Sequence, residues 1–440
     1  MAATLIENVV LIDPEGATER PGALVIEGGL VADLLPGPAP SRDRFAEVVD
    51  GGGHALAPGI VDWGVKVSEP GERHKESFRT AGLAAAAGGV TTIVTRADTV
   101  PAIDTPEILE FVARRAAAVS PVRVLPMAAL TKNREGREMT EVAFLRDAGA
   151  VAFSDALEVV RDTRVLARAL TYARGLGALV VTHVQDPGLS AGAVATAGKF
   201  ASLKGLPHVS PLAERMGLER DLALAEMTGA RLHVDQVTTA AALPALRRAK
   251  EGLDVTAGVS VHHLALNDMD VADYRTFFKL TPPLRSEEDR LAAVEALADG
   301  TIDVLCSMHT PQDEESKRLP FEAAAPGAVG LETLLPAALR LVHAGHLTLP
   351  RLFRALSLNP SRRLGLPTGR LARGAPADLV LFDPHAPFVL DRWTLRSKSR
   401  NTPFDGARLQ GRVRGTWVAG RRVWGEAAPE ASTPALRAAP

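Results

Sequence analysis

Short apolar runs that alternate with longer amphipathic stretches dominate residues 58–361 of this chain. In order, the apolar runs are GIVDWGV, GVTTIV, VRVLPMAAL, GAVAFS, GALVVTHV, ARLHVDQV, GLDVTAGVSV and TIDVLCS. Between them lie stretches of helical character, among them TPEILEFVARRAAAV, DTRVLARALTYARG and EEDRLAAVEALADG. Strands that alternate with helices are typical of a parallel sheet, and eight of them predict a closed (β/α)8 barrel, which is an α/β fold.

The two ends of the chain have a different rhythm. Residues 1–57 and 362–425 contain short strand-like segments separated by glycine and proline, such as TLIENVVLID and GRLARGAPADLVLFDP. We expect both ends to join in one small β-sandwich beside the barrel at 58–361. Residues 426–440, EAAPEASTPALRAAP, are rich in alanine and proline and are predicted to be disordered.

The composition limits the partners and the compartment. Hydrophobic residues make up 46% of the 440 and charged residues 23%, which is ordinary for a soluble globular protein. A formal net charge of -2, without runs of lysine or arginine, makes nucleic acid and anionic membranes poor candidates as partners. The single cysteine, Cys306, excludes an internal disulfide framework. The start, MAATLIENVVLIDPEG, lacks the features of a signal peptide, so we expect a cytoplasmic protein.

Segments along almost the whole chain resemble one known family. APGIVDWGVKVSEPGERHKES is similar to the first barrel strand and loop of dihydroorotases and hydantoinases, where that strand carries Asp-x-His-x-His before Arg-Glu-Pro-Gly. Further similar segments, in the family's order, are AAAAGGVTTIV, AVAFSD, HVQD, KLTPPLRSEEDR, GLETLLPAALRL, GAPADLVLFDP and SKSRNTPFDGARLQGRV. The chain is therefore identified as a member of the long bacterial dihydroorotase type, within the metal-dependent amidohydrolases.

The resemblance implies a zinc-dependent reaction, but few of the residues at the family's ligand positions can bind zinc in this chain. Zn²⁺ lowers the pKa of its bound water from 15.7 to about 7 and so supplies a hydroxide nucleophile. The family's ligand positions correspond here to Gly64, Lys66, Asp155, His183 and Gln236. Glycine has no side chain, and a lysine ammonium has no lone pair to offer a cation. We therefore predict that the zinc ion of the family is absent here.

The proton-transfer and substrate positions differ from the family pattern as well. Met308 stands where the family has the aspartate that transfers a proton to the leaving nitrogen. Ser68 replaces the arginine that clamps the substrate carboxylate, and the other substrate positions are Asp98, Thr281 and Gln312. Asp98 would repel a carboxylate, and no obvious arginine replaces the lost clamp. We predict that none of these residues is catalytic or binds substrate.

Some of these side chains leave alternatives open. Asp155 and His183 could hold a weak metal site with water, although two ligands rarely hold Zn²⁺ and hydrogen bonding at the barrel mouth is the simpler role. Lys66 could act as a catalytic amine. The topology of the family that the chain resembles implies another possibility, an ion pair of Lys66 with Asp98 or Asp155 that fills the space left by the metal.

The remaining candidates are more simply explained by structure than by chemistry. His262 and His263 in SVHHLALND resemble the family's His-His-Leu loop. His343 and His346 have a spacing that can bind metal, but a solvated helix end is the simpler interpretation. Cys306 lies on the apolar run VLCSM and is expected to be a buried, inert thiol.

A chain that keeps its fold-bearing segments but not its chemistry indicates a function other than catalysis. Some bacteria carry inactive dihydroorotase homologues that assemble with aspartate carbamoyltransferase, the preceding enzyme of pyrimidine synthesis, and this chain resembles them. The resemblance implies a structural subunit for the catalytic chain of that transferase, in a homodimer or a larger hetero-oligomer. The alternative is an active metal-dependent hydrolase of a cyclic amide, dihydroorotase-like or hydantoinase-like, with a rearranged site.

Overall fold

The computed structural model of the protein describes residues 3–37 and 41–425. Its strands are β1 (Thr4–Asp13), β2 (Thr18–Glu27), β3 (Leu30–Pro36), β4 (Glu47–Asp50), β5 (Ala55–Pro58), β6 (Ile60–Val65), β7 (Val90–Thr95), β8 (Arg123–Pro126), β9 (Leu179–Thr182), β10 (Ala195–Thr196), β11 (His208–Val209), β12 (Arg231–Val234), β13 (Val255–Ser260), β14 (Val304–Cys306), β15 (Leu379–Val389), β16 (Arg408–Val418) and β17 (Arg421–Gly425). The predicted disorder of residues 426–440 lies outside the described residues.

The helices follow the barrel strands or connect them. They are α1 (Phe78–Ala87), α2 (Pro106–Val119), α3 (Val142–Asp147), α4 (Thr163–Gly175), α5 (Pro187–Ser190), α6 (Lys199–Lys204), α7 (Leu212–Thr228), α8 (Leu243–Lys250), α9 (Val261–Ala265), α10 (Glu287–Asp299), α11 (Glu314–Arg318), α12 (Leu334–His343), α13 (Leu349–Phe353) and α14 (Asn359–Leu364). A π-helical turn at Arg354–Leu358 joins the last two. No helix in the described ranges combines the length and hydropathy needed to cross a membrane.

The barrel strands follow one another around the ring in chain order. Strands β6, β7 and β8 pair in parallel, as do β9, β12, β13 and β14. Phe153 closes the gap between the two groups, because it bridges Ala128 on one side and Val180 on the other. At the opposite seam, the backbone N–H of Lys66 donates to the carbonyl of His309 at 2.8 Å. The predicted α/β barrel is confirmed. Its fourth run forms no continuous strand, although backbone hydrogen bonds of Val151, Ala152 and Ser154 also join it to β8 and the residues after it.

The two chain ends meet in one eight-stranded sheet beside the barrel. The strand order is β17-β16-β15-β5-β1-β2-β3, with β4 also paired to β1. Antiparallel pairing of β5 with β15 places Pro58 opposite Leu379 and so joins the two ends. Leu24, Leu56, Leu379 and Trp417 belong to the buried core of this unit. The predicted joining of both ends in one β-rich unit is therefore confirmed; a β-sandwich was expected, and the structure forms the unit as a single mixed sheet.

Local sequence explains how the first helix is placed against the barrel. The Ser77 side chain accepts a hydrogen bond from the Thr80 backbone N–H at 3.2 Å and begins α1 with a capping box. The helix ends at Gly88, where a Cβ atom would lie 2.1 Å from the carbonyl oxygen of Leu331. Only glycine allows this close approach, which sets the distance between α1 and the segment before α12.

Candidate functional site

The carboxyl ends of the barrel strands bring together most of the side chains that the sequence analysis singled out. Gly64, near the end of β6, has a φ of 72°, in the left-handed region that favours glycine. A Cβ atom at this position would lie 2.4 Å from Sδ of Met308, which follows β14. The methionine side chain therefore occupies the space into which a side chain at position 64 would project.

Met308 belongs to an apolar cluster inside the barrel. Its side chain is buried in one cluster with Trp63, Met127, Val181 and Cys306. Burial raises the pKa of the Cys306 thiol well above its usual value, in line with the expected inert thiol. A thioether is at most a weak hydrogen-bond acceptor, so Met308 cannot replace a carboxylate in proton transfer.

Lys66 lies in a cluster of charges beside the methionine. Its Nζ is 3.5 Å from Oδ2 of Asp98 and 3.7 Å from Oε2 of Glu72. Arg96 donates to both oxygens of Asp98, from Nε at 3.1 Å and from Nη2 at 2.9 Å. Burial opposes ionisation of Asp98, but Arg96 and Lys66 outweigh it and lower the pKa of this carboxyl to about 2. Of the two partners expected for Lys66, Asp98 is confirmed and Asp155 is not.

Asp155 faces the loop after β8 instead. Its Oδ1 accepts from the backbone N–H groups of Leu130 at 3.0 Å and Thr131 at 2.9 Å, and its Oδ2 accepts from the Thr131 hydroxyl. Burial raises the pKa of this carboxyl, although these hydrogen bonds act in the opposite direction. Both oxygens are thus engaged in holding a turn, the simpler role anticipated for this side chain.

The two histidines on neighbouring strands have different environments. Nδ1 of His183 donates to the Asp235 carboxylate, 3.1 Å from Oδ2. Burial alone would lower the pKa of His183, but the Asp235 carboxylate raises it above its usual value. His233 hydrogen-bonds through Nδ1 with the Thr256 hydroxyl at 2.8 Å, and burial lowers its pKa well below the usual value. Only His183 has the carboxylate-backed orientation that metal-binding histidines use.

The remaining predicted positions line the mouth of the barrel without forming a substrate clamp. Nε2 of Gln236 donates to the carbonyl oxygen of Thr281 at 3.4 Å. Nε2 of Gln312 donates to the carbonyl oxygen of Pro326 at 2.9 Å. Ser68 is buried, and its hydroxyl has no hydrogen-bond partner among the described residues. Each amide is turned onto backbone, and no cationic group stands at position 68 for a carboxylate.

The cavity at this mouth is small. It measures about 30 Å³, whereas protein sites for small molecules typically measure roughly 300–1,000 Å³. The polar and sulfur-bearing residues that line the cavity are Arg96, Gln236, Ser260, His262, His263, Thr281, Met308 and Thr310. In this conformation the mouth has no room for a cyclic amide.

The paired histidines are buried and neutral at physiological pH. Burial lowers the pKa of His262 to about 4 and that of His263 to about 3. His263 donates through Nε2 to the carbonyl oxygen of Pro282 at 3.1 Å, which fixes its ring. The exposed His343, by contrast, lies at the end of α12 with its ring 5.5 Å from that of His385.

Two buried carboxylates that the sequence analysis did not single out hold the mouth together. Asp62 accepts from the Ser307 backbone N–H at 2.7 Å, and burial raises its pKa to about 7. Glu76 accepts from the Ser397 hydroxyl, and its Oε2 lies 3.4 Å from Nε2 of His309. Burial opposes ionisation of Glu76, but His309 outweighs it and lowers the pKa. Asp62 could have been found, because it opens the pattern whose later positions are Gly64 and Lys66.

These residues do not fit a zinc ion. Lys66 has no lone pair to offer, and the oxygens of Asp155 already accept three hydrogen bonds. Met308 fills the place of a ligand at Gly64. Within the described ranges, no group of three or more His, Cys, Asp or Glu side chains is arranged to hold a metal ion. His183 alone cannot provide the three or four ligands that zinc requires.

Comparisons with known proteins show which chains this one is similar to. Residues 53–242 match the family model described as Dihydro-orotase-like. A protein named Dihydroorotase from Anaeromyxobacter dehalogenans (strain 2CP-C) is 43% identical over 95% of this chain and 97% of its own length. A Dihydroorotase-like protein from Pseudomonas putida is 39% identical over 93% of this chain and 96% of its own. L-hydantoinase from Arthrobacter aurescens has a similar structure, with a TM-score of 0.86 and 26% identity over 97% of this chain and 96% of its own.

Proposed function

Because the chain belongs to the dihydroorotase-like family, we propose that it is a catalytically inactive dihydroorotase homologue that serves as a structural subunit for aspartate carbamoyltransferase. It acts in pyrimidine biosynthesis without a bound zinc ion, and its partner is the catalytic chain of the transferase. The observation that carries the loss of catalysis is the position of the Met308 thioether over Gly64.

Hydrolysis of a cyclic amide needs a hydroxide nucleophile and a group that transfers a proton to the leaving nitrogen. The Met308 side chain argues against both. Its thioether carries no titratable proton, and its sulfur lies where the side chain of a metal ligand at position 64 would begin. One side chain therefore replaces a proton donor and obstructs a ligand.

The charges at the mouth also support a site without substrate. Arg96 is buried and directs its guanidinium to the Asp98 carboxylate, so it is not free to clamp a substrate carboxylate. Lys66 is shared between Asp98 and Glu72. Because Arg96 and Lys66 both have carboxylate partners within the chain, neither is free to bind the carboxylate of dihydroorotate.

The assembly role rests on what the chain retains. The structure retains three contacts that hold the scaffold together. They are the hydrogen bond between β6 and the segment after β14, the bond of Glu76 to the segment after β15, and the close approach at Gly88. Because the scaffold is complete and the pocket is filled, we infer that the chain acts through its surface, by binding a partner. Aspartate carbamoyltransferase is the partner that the family resemblance suggests.

The loss of catalysis is tested with the purified protein. We expect elemental analysis to find far less than one zinc ion per chain, and we expect no interconversion of dihydroorotate and carbamoyl aspartate after zinc is added. A known active dihydroorotase, handled in parallel, serves as the control for metal loading and assay.

The assembly role is tested by co-expression with the aspartate carbamoyltransferase chain of the same organism, followed by size-exclusion chromatography with light scattering. A stable interface buries at least about 1,000 Å², so the complex should persist at micromolar concentration. Separate elution, with a transferase that is fully assembled and active alone, would contradict the assembly role.

A second candidate function is an active hydrolase of a cyclic amide with a rearranged site. The identity of 43% to a protein named Dihydroorotase favours it, as does the carboxylate-backed orientation of His183. About one zinc ion per chain, together with turnover that His183→Ala abolishes, would establish this candidate and refute the inactive one.

A further inference from the structure

A second and much larger depression lies on the outside of the molecule, between α12 and the hairpin formed by β15 and β16. It encloses about 660 Å³ and shares no lining residue with the cavity at the barrel mouth. Its apolar surface consists of Ala344, Phe388, Val389 and Leu409. Val389 is 62% exposed, which is unusual for a valine on a strand. This depression is termed the hairpin groove.

Arginines surround the apolar surface of the groove. Arg340 and Arg408 line it, and the Arg412 guanidinium lies 4.8 Å from the centre of the Phe388 ring. Arg340, Arg408 and Arg412 form no ion pair with any residue that the structure describes, whereas Arg414 nearby pairs with Asp383. No aspartate or glutamate lines the groove. The groove therefore offers an apolar surface with positive charges that lack counter-ions.

The segment that surrounds the groove is also positively charged. Residues 379–425 contain nine lysine or arginine residues and three acidic ones, whereas the whole chain has a net charge of -2. Exposed arginines next to aromatic rings are typical of the residues that contribute most to protein interfaces. Such a surface is complementary to a partner that presents carboxylates beside an apolar side chain.

The backbone of the groove argues against recognition by strand addition. Beyond Phe382, β15 pairs only with β16, so its other edge is open. This edge contains Pro384 and Pro387, which have no N–H to donate to an added strand. Recognition must therefore come from the side chains, and edge-to-edge pairing of two copies is disfavoured.

We propose that the hairpin groove is the surface on which the aspartate carbamoyltransferase chain docks, through a segment that carries aspartate or glutamate beside a large apolar side chain. The apolar side chain packs on Phe388 and Val389, and the carboxylates pair with Arg340 and Arg408. This inference rests on the proposed assembly function and names the surface that performs it.

The test compares variants of the groove in the co-expressed complex. Arg340→Glu with Arg408→Glu reverses the charge of the rim, and Val389→Asp places a carboxylate on the apolar surface. Arg161→Glu with Arg168→Glu is the matched control, because these arginines are also exposed and form no ion pair within the described ranges. Phe144→Asp is the control for Val389→Asp, since Phe144 is 64% exposed on α3. Thermal melting of each isolated variant reports whether it folds.

We expect the groove variants to weaken assembly by roughly tenfold or more and the controls to assemble like the wild type. If the wild type assembles and the folded groove variants assemble equally well, the groove is the wrong surface, while the assembly function stands. If the wild type does not assemble, the assembly function fails and this inference fails with it.

A photo-crosslink identifies the occupant. With p-benzoylphenylalanine at position 389, we expect a crosslink to an acidic segment of the transferase, mapped by mass spectrometry. A crosslink to a second copy of this chain, or to its own residues 426–440, would overturn the proposal.

Discussion

Single residues at the barrel mouth are coupled in pairs. Gly64 has no side chain, and the Met308 side chain takes the space that one would fill. Without Arg96 and Lys66, the Asp98 carboxylate would be a buried charge with no counter-ion. Without its carboxylate partners, the same would hold for Lys66. Each unusual residue is therefore accommodated by another, so the effect of a substitution depends on its partner.

The pairing of Gly64 with Met308 predicts a large effect of a single methyl group. Gly64→Ala should lower the free energy of unfolding by about 1–3 kcal/mol, because the new Cβ overlaps Sδ of Met308. The positive φ adds about 1 kcal/mol. In a Met308→Ala background only this backbone part should remain, which urea unfolding of all four proteins measures.

The control for this cycle is Gly252→Ala, where a Cβ atom would meet open space at an ordinary φ. An effect of Gly64→Ala that is the same with Met308 as in the Met308→Ala background would show that Met308 does not fill the space over Gly64.

The charge cluster predicts a pH dependence of stability. The folded-state pKa of Asp98 is about 2, below the value of about 3.9 for an unfolded chain. A lowered pKa stabilises the fold above the unfolded value, so a contribution of about 2 kcal/mol at neutral pH should disappear as pH falls from about 4 to about 2. Asp98→Asn should lower stability at pH 7 and flatten the profile in that acid window.

Chemical denaturation at several pH values between 2 and 7 checks this profile. Glu295→Gln is the matched control, since Glu295 is exposed and has no ion-pair partner in the part of the chain that the structure describes. A profile for Asp98→Asn that parallels the wild type would mean that Asp98 is not the group responsible.

At the scale of elements, the departures from the family pattern lie on or just after several different barrel strands. Gly64 lies on β6 and Lys66 just after it, Asp98 follows β7, and Met308 follows β14. Repair of one strand therefore leaves the others unchanged. Catalytic groups that act as a unit are strongly non-additive, so partial repair recovers little.

Gly64→His with Lys66→His rebuilds the two histidines of the first strand and should still give no dihydroorotase turnover. Met308 lies where the first histidine would extend, and Arg96 keeps its bonds to Asp98. A sensitive assay of dihydroorotate hydrolysis, with added zinc, measures the outcome. Turnover above that of the wild type would show that the rest of the site is competent.

The elements themselves were largely predictable from the sequence. Alternation of apolar and amphipathic stretches predicted the barrel, and glycine and proline spacing predicted the β unit at the ends. The fourth apolar run, GAVAFS, is the exception, because it does not form a regular barrel strand. It forms isolated bridges at Phe153 rather than a continuous strand, and the chain turns at Ala156, whose φ is 57°.

The site was predictable in its residues but not in its contacts. Motif positions identified Lys66, Asp98 and Met308, and the topology of the family suggested the pair between the first two. The contact of Met308 with Gly64 depends on how β14 closes the barrel against β6. No local sequence pattern predicts this closure. Likewise, the partner of Asp155 is Thr131, on a different loop, and nothing in the intervening sequence indicates it.

At the scale of the whole molecule, a filled barrel lies beside an open, basic groove, and the proposed function therefore belongs to the outside of the fold rather than to its centre. The cavity at the barrel mouth is about 30 Å³ and the hairpin groove is about 660 Å³. We therefore expect ligands of the barrel to have little effect on the protein and a docked partner to have a large one.

Partner binding should raise the melting temperature of this chain, because a partner that binds only the folded state stabilises it. Differential scanning fluorimetry at increasing concentrations of the carbamoyltransferase chain should show a rise that depends on concentration. Dihydroorotate at millimolar concentration should produce none. A shift with dihydroorotate would reveal a ligand site that the closed cavity does not provide.

The pairing of β5 with β15 also has a consequence for how the protein is made. Strand β5 leaves the ribosome roughly 320 residues before the strand that covers its edge. At 5–20 residues per second, that delay is on the order of tens of seconds. Throughout it, the first half of the sheet has an open edge that other chains can join. Nascent or shortened chains that end before Leu379 are therefore the forms most exposed to aggregation and most dependent on chaperones.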